Sequence, residues 1–263
     1  MINVTCCFKT GYDLDKVSAE EWRQTANTGH ADLGYLKSRI DPQDESGLEL
    51  ALRFRDACEE IGLECNLGAV SAGDRNVTVH LQTLTALGFR EADRIVWSDA
   101  FAPDGVVSAL AKYAKDQESD VIVCGMKSSA GGTGSVPIML AELLGVKCIT
   151  NVKEFEPTGE DHLQVTYIRD GLMIREAVPV PVVLAVGDVQ RCFLRVPTLR
   201  QRLASASVPI GEIMPETKEE SAELIGFEVI RQDRESTLVD GSDPAAAAAE
   251  IYQRLVQEGV VRV

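Results

Sequence analysis

The sequence has seven cysteines in 263 residues but no C-x-x-C pair. Without that spacing no zinc or iron–sulfur site is expected, and an odd, scattered set fits buried thiols in a reducing cytoplasm. Histidine is scarce: His30, His80 and His162 are the three. None stands near a serine–acid or cysteine constellation, so packing or surface roles are expected of each. Aromatics make up 5% of the chain, and no apolar run approaches the length of a membrane span, so no membrane insertion is expected. The start, Met1 to Phe8, lacks the basic region and cleavage site of a signal peptide and reads as a strand. Basic charge is short as well: Lys and Arg total 26 against 41 Asp and Glu, for a net charge of -15. A nucleic-acid binder needs a basic face, so no nucleic-acid partner is expected. Acidity of this size favours solubility and a partner with complementary basic patches.

What is present is a 45% hydrophobic chain, enough for a large core. Its most informative stretch is Asp120 to Pro137. Val121-Ile122-Val123-Cys124 is a β-branched run of the kind buried in parallel sheets. A loop of small residues follows, with Gly131, Gly132 and Gly134 in four positions; then Ile138 to Leu144 reads as a helix ended by Gly145. Strand, glycine-rich loop and helix start make a phosphate cradle. Glycines let backbone N–H groups approach an anion, the helix terminus adds partial positive charge, and Thr133 and Ser135 add hydroxyls. Pro137 suits a first helical turn. The loop is neither G-x-G-x-x-G nor G-x-x-x-x-G-K-[ST], since no lysine follows the glycines.

Strands are expected at Ile2–Phe8, Cys65–Val70, Arg94–Trp97 and Val121–Cys124, with helices from Asp41 to Gly62, Val77 to Leu87 and Pro103 to Lys115. The polar section up to Arg39 has no assigned element. Alternating strands and helices imply a mostly parallel, doubly wound α/β sheet covered on both faces, with ligands beyond the carboxyl ends of the strands. Cys7-Phe8-Lys9, Ser71-Ala72-Gly73 and the Gly131 loop all lie at those ends. From Asn151 the pattern turns short and alternating: Val152–Phe155, Leu163–Arg169 and Leu172–Val178 form an antiparallel extension, and Pro181–Ala185 a last apolar strand. Beyond Gly187 regular structure is expected to fade, with an acidic linker at Glu212–Glu220 and a C-terminal helix at Ala245–Glu258, capped by Asp243. Three parts are expected: residues 1–187 as the nucleotide-binding domain, 188–225 as a recognition loop and linker, and 226–263 as an arm that docks on a partner.

In shared order over almost the whole chain, these motifs resemble the electron-transfer flavoprotein β subunit. The residues that carry the likeness are Cys7 to Asp13, Asp41-Pro42-Gln43-Asp44-Glu45, Ala69-Val70-Ser71-Ala72-Gly73, Leu87 to Arg94, Asp120 to Gly125, and Arg195-Val196-Pro197-Thr198-Leu199-Arg200. The resemblance implies an adenine-nucleotide α-hydrolase-like sheet and one half of a heterodimer whose α subunit holds most of a mobile FAD. This chain would bind AMP, or in bifurcating members a second FAD, and carry electrons from a dehydrogenase to a quinone- or ferredoxin-linked acceptor. It would be an electron carrier rather than a stand-alone enzyme, with no catalytic or metal-binding residues. The implied cofactor contacts are Cys7, Phe8, Lys9, Asp41, Pro42, Gln43, Asp44, Ala72, Cys124, Gly125, Gly131, Gly132, Thr133, Gly134, Ser135 and Val136. The implied docking residues are Leu199, Arg195 and Arg200.

The nucleotide loop departs from the family. Where the family reads D-D-D-x-N-Q-T-G or D-G-D-T-A-Q-V-G, the chain has Ala130 to Pro137, and only Gly131, Thr133 and Val136 agree with the second, bifurcating-type form. Arg200 stands where a proline follows the docking leucine, and Ala204-Ser205-Ala206-Ser207 replaces a lysine-rich run. The same architecture also suits a nucleotide-binding sensor that passes no electrons. A hydrolase fits least, because no carboxylate pair or histidine near the loop could activate water.

Overall fold

The computed structural model describes residues 1–28, 32–97, 103–215 and 236–261. Two compact units emerge, Met1–Gly226 and Phe227–Val263. In the first, mostly apolar stretches form strands largely buried on both faces: β1 (Ile2–Cys7), β4 (Cys65–Gly73), β6 (Val121–Gly125) and β10 (Val182–Val186). With β5 (Glu91–Val96), β7 (Lys147–Pro157), β8 (His162–Arg169), β9 (Leu172–Pro179) and β11 (Gly211–Ile213) they make one sheet in the order β11-β5-β4-β1-β6-β10-β7-β8-β9. The ladders from β11 to β7 are parallel; β7, β8 and β9 pair antiparallel.

Order along the sheet reverses beside β1. The chain steps outward through β4 to β5, then returns to place β6 on the other side of β1. Right-handed crossovers running in opposite directions place their helices on opposite faces. Accordingly α2 (Pro42–Glu60) and α3 (Thr78–Ala86) cover one face, burying Leu48, Leu52, Phe54, Leu81 and Leu84. Phe54 meets Phe155 with ring centroids 5.3 Å apart. On the other face α4 (Pro103–Asp116) and α5 (Ser135–Leu144) bury Val107, Leu110, Leu140 and Ala141. Each fully buried Leu or Phe contributes roughly 1.5–3 kcal/mol of transfer free energy.

The architecture matches the α/β, doubly wound expectation, and several boundaries move. β5 starts at Glu91 rather than Arg94, because Glu91 and Ala92 pair with Gly68 and Ala69 of β4. β7 starts at Lys147: its first half runs parallel to β10, and beyond Asn151, at φ 56, it turns to pair antiparallel with β8. The polar section holds α1 (Ala19–Thr28) and a short antiparallel pair, β2 (Thr10–Tyr12) and β3 (Ser38–Ile40). Regular structure does not fade after Gly187, since α6 (Leu199–Ser205) and β11 follow. Pairing of β11 with β5 and a 2.7 Å ion pair from buried Arg94 to Glu212 hold that edge. The expected acidic linker thus falls partly on β11 and partly outside the described residues, and His30 lies outside them.

In the second unit α7 (Pro244–Gln257) is capped by Asp243, whose carboxylate accepts from the N–H groups of Ala245 and Ala246. None of its residues is buried within this chain; Ile251 and Tyr252 stay about half exposed.

Candidate functional site

The reversal beside β1 opens a crevice between the carboxyl ends of β1 and β6, the place where open α/β sheets bind ligands. Its construction starts with the β2–β3 pair. Thr10 lies opposite Ile40, which returns the chain to Lys9 and starts α2 against the end of β1. The Asp41 N–H then donates to the Lys9 carbonyl at 3.0 Å.

The first turn of α2 spends its side chains on backbone. Asp41 stands at the N-cap but does not cap; its Oδ2 accepts from the Ser129 N–H at 2.6 Å. Gln43 Oε1 accepts from the Lys127 N–H at 2.8 Å, and its Nε2 donates to Asp188. Asp44 accepts from the Gly125 N–H at 2.6 Å and the Lys9 N–H at 2.8 Å, one through each carboxylate oxygen. Three side chains therefore fix the exits of β1 and β6 and the first residues of the glycine loop. Gly125 is dictated by this clamp, because a Cβ there would lie 2.5 Å from Asp44 Oδ1. Desolvation pushes the Asp44 carboxyl up to about 7; the Lys9 and Gly125 N–H groups pull against this, and the nearby charge of Asp41 adds to it.

Beyond the clamp the loop is open. Gly134 sits at φ 66, and a Cβ there would lie 3.0 Å from the Met126 carbonyl oxygen, so the turn into α5 needs glycine. As N-cap it offers no side-chain acceptor, leaving the first-turn N–H groups of α5 facing outward for an external one. Thr133 Oγ1 and Ser135 Oγ lie 3.1 Å apart at this mouth. Lys9 Nζ reaches across to the Ala130 carbonyl at 3.2 Å, placing a cation beside the loop. The residues fit a phosphate-bearing ligand: glycine backbone, an uncapped helix start, two hydroxyls and a lysine.

The implied contacts divide into three groups. Lys9, Gly125 and the Gly131–Val136 loop, Ala72 at the end of β4, and Pro42 at the exposed start of α2 lie around or beside the crevice mouth. Asp41, Gln43 and Asp44 are drawn there too, but as a scaffold whose polar atoms are already engaged. Phe8 is buried in the core under α2, and Cys7 and Cys124 lie buried on the α4–α5 face. The two are adjacent on neighbouring strands, and the Cys7 thiol first, then burial, holds Cys124 well above the usual thiol range. All seven cysteines are free thiols. A further cavity of about 410 Å³ begins one residue past Ala72, with Arg94 and Trp97 in its wall.

The implied docking residues form a separate group. Phe193, Val196, Leu199 and Leu203 are each 69–78% exposed and make an apolar row along a segment that enters α6 through a Thr198–Gln201 capping box. Arg200 is exposed beside it. Arg195 is engaged within the chain: its guanidinium and N–H bond Glu49, and it also bonds Asp56 at 2.7 Å, with the side chain 38% exposed. Sequence reasoning missed Glu49, Asp56 and Asp188. The one local sign was an acid at 49 between Leu48 and Leu50 on an apolar helix.

Comparison with known proteins agrees with this geometry. Residues 34–210 match the electron transfer flavoprotein domain family. The chain is 29% identical to a putative electron transfer flavoprotein subunit, YgcR, of Escherichia coli K12, over 98% of both chains. It is 35% identical to the Bacillus subtilis electron transfer flavoprotein subunit beta, over 46% of this chain and 47% of that one. To the same subunit of Thermoanaerobacterium thermosaccharolyticum it is 31% identical, over 57% and 56%. The family match over residues 34–210 and the likeness to a relative over 98% of both chains place this chain in the electron transfer flavoprotein family, as a β-subunit-like member.

Proposed function

We propose that this chain binds an adenine nucleotide at the crevice between β1 and β6, pairs with a flavin-bearing α subunit, and passes electrons from a dehydrogenase to a quinone- or ferredoxin-linked acceptor in the cytoplasm. The observation that carries the reading is the open glycine loop at the uncapped start of α5, held at the reversal of strand order by the first turn of α2. Thr133, Ser135, Lys9 and the loop N–H groups would hold phosphate oxygens; the flavin, when bound on the partner, supplies the one- and two-electron chemistry. AMP needs the loop alone. The cavity past Ala72 gives room for the larger remainder of a second FAD. The exposed row from Phe193 to Leu203 supplies an apolar anchor for the redox partner, with Arg200 on its rim to steer an acidic protein. α7, with no buried residue of its own, supplies the arm that lies on the α subunit.

Co-purification with the α subunit, followed by denaturation and counting of flavin and AMP, tests the reading. One flavin and one AMP per heterodimer fit the AMP form; two flavins fit the bifurcating form. Screening dehydrogenases for bleaching of the heterodimer's flavin then identifies the donor. A complex with nucleotide that no dehydrogenase reduces supports the sensor reading; a single flavin and no AMP per heterodimer refutes the site. Leu199→Ala should weaken docking by about 1–3 kcal/mol, read as a raised KM for the donor at unchanged flavin content.

A further inference from the structure

We infer that Arg195 is a positioning residue: it sets the pose of the apolar docking row by tying the segment that bears it to α2, and does not itself meet the partner protein. This rests on the reading of that row as the docking surface.

The tie is continuous along one stripe of α2. Gln43, Ser46, Glu49 and Asp56 follow at helical spacing, and each bonds the segment from Asp188 to Arg195. Gln43 donates to Asp188 at 2.8 Å. Ser46 Oγ donates to the Cys192 carbonyl at 3.1 Å, while Cys192 Sγ donates back to the Ser46 carbonyl. Glu49 Oε2 accepts from both the N–H and Nε of Arg195 at 3.1 Å, and Oε1 from its Nη2 at 3.0 Å; Asp56 Oδ2 accepts from its Nη1 at 2.7 Å.

Arg195 stands near the start of the row, between Phe193 and Val196, with both backbone and side chain bonded to α2. The Glu49 side chain is only 7% exposed, so the bonds to it are charge-assisted and shielded at the carboxylate end, while the Asp56 bond is open to water; the fork geometry uses what arginine has and lysine lacks. Burial pushes the Glu49 carboxyl up, but its bonds to Arg195 and Arg53 outweigh this and hold it below the ordinary range. Three of the five guanidinium N–H donors and the backbone N–H are engaged in this way, so α2 holds the side chain in one pose. What it does is decide which side of the segment points out: Cys192 and Leu194 turn toward the core, Phe193 and Val196 toward solvent.

The test uses the heterodimer and three variants, Arg195→Ala, Arg195→Lys and Asp56→Asn, with Leu199→Ala as the control for the docking surface. In Arg195→Ala, amide hydrogen exchange across residues 193–203 should quicken by about ten-fold or more while β1, β6 and α5 keep their protection. Its KM for the donor found by flavin bleaching should rise about ten-fold, with kcat and dithionite reduction of the flavin unchanged. Arg195→Lys and Asp56→Asn should fall between wild type and Arg195→Ala. Unchanged exchange at 193–203, or an unmoved KM in Arg195→Ala and Asp56→Asn while Leu199→Ala raises it, overturns the inference. So does loss of flavin or of heterodimer in Arg195→Ala when Asp56→Asn behaves as wild type, since that assigns Arg195 to stability alone. If Leu199→Ala leaves KM unmoved, the docking reading fails instead, and the exchange data still decide what Arg195 orders.

Discussion

Asp44→Asn separates the charge of the crevice clamp from its shape. The carboxylate joins β1 to β6 by accepting from the Lys9 and Gly125 N–H groups. Asparagine offers one acceptor oxygen and presents an amide N–H₂ to the other donor, leaving one buried N–H unpaired at about 1–3 kcal/mol. Against this stands the gain of removing a desolvated charge. The shift from 3.8 to about 7 corresponds to about 4 kcal/mol of penalty on the ionised form at high pH. The folded-state value lies above that of the unfolded chain, so the folded protein holds the proton more tightly between the two. Wild-type stability is therefore fully present below the lower value and is lost as pH rises through the upper one, whereas the variant has no such slope. Urea unfolding of both proteins at about pH 4.5, 6 and 8 should show the wild-type advantage falling by about 3 kcal/mol across the series, at an unchanged m-value. An advantage that stays flat, or grows with pH, refutes the assignment of a desolvated carboxyl, because a well-paired carboxylate gives the opposite slope.

Two other substitutions probe separate parts. Gly134→Val forces a β-branched residue to φ 66 with its Cβ 3.0 Å from the Met126 oxygen; strain of about 1–3 kcal/mol should lower nucleotide content per heterodimer more than it lowers Tm. Deleting Pro244–Val263 removes α7, and gel filtration should show weaker heterodimer formation while circular dichroism of the sheet unit is retained; an unchanged complex would show that the arm is not an interface.

How much the sequence disclosed depended on the range of the interactions involved. Strands β6 and β10 are nearly continuous apolar runs and β1 carries Ile2, Val4, Cys6 and Cys7, and their burial needs nothing but neighbours of the same kind. Loop and helix start announced themselves through Gly131, Gly132 and Gly134. The role of the Asp41–Asp44 turn did not: a polar first turn suits a ligand as well as it suits three loop N–H groups, and only the register of β2 on β3 brings it to Lys9. Arg195 looked like one rim arginine among several because its partners, Glu49 and Asp56, lie 146 and 139 residues away in the chain. α1 buries only Thr25, and β11 has three residues held by Arg94 and a ladder, so neither leaves a hydrophobic period to find.

The place of β10 bears on how the chain is made. It is later in sequence than β7, β8 and β9, yet it lies between β6 and β7 and pairs with both. A nascent chain that has emerged only as far as β9 therefore holds two halves with no strand to join them. β6 on one side and β7 on the other each present a bare, apolar parallel edge, the kind that invites pairing with foreign strands. Closure waits for Val182 to Val186 to thread into the gap, and until then the growing protein is a natural client for a chaperone. A stop codon before Val182 should yield insoluble fragments, whereas one placed after β11 leaves the whole sheet complete.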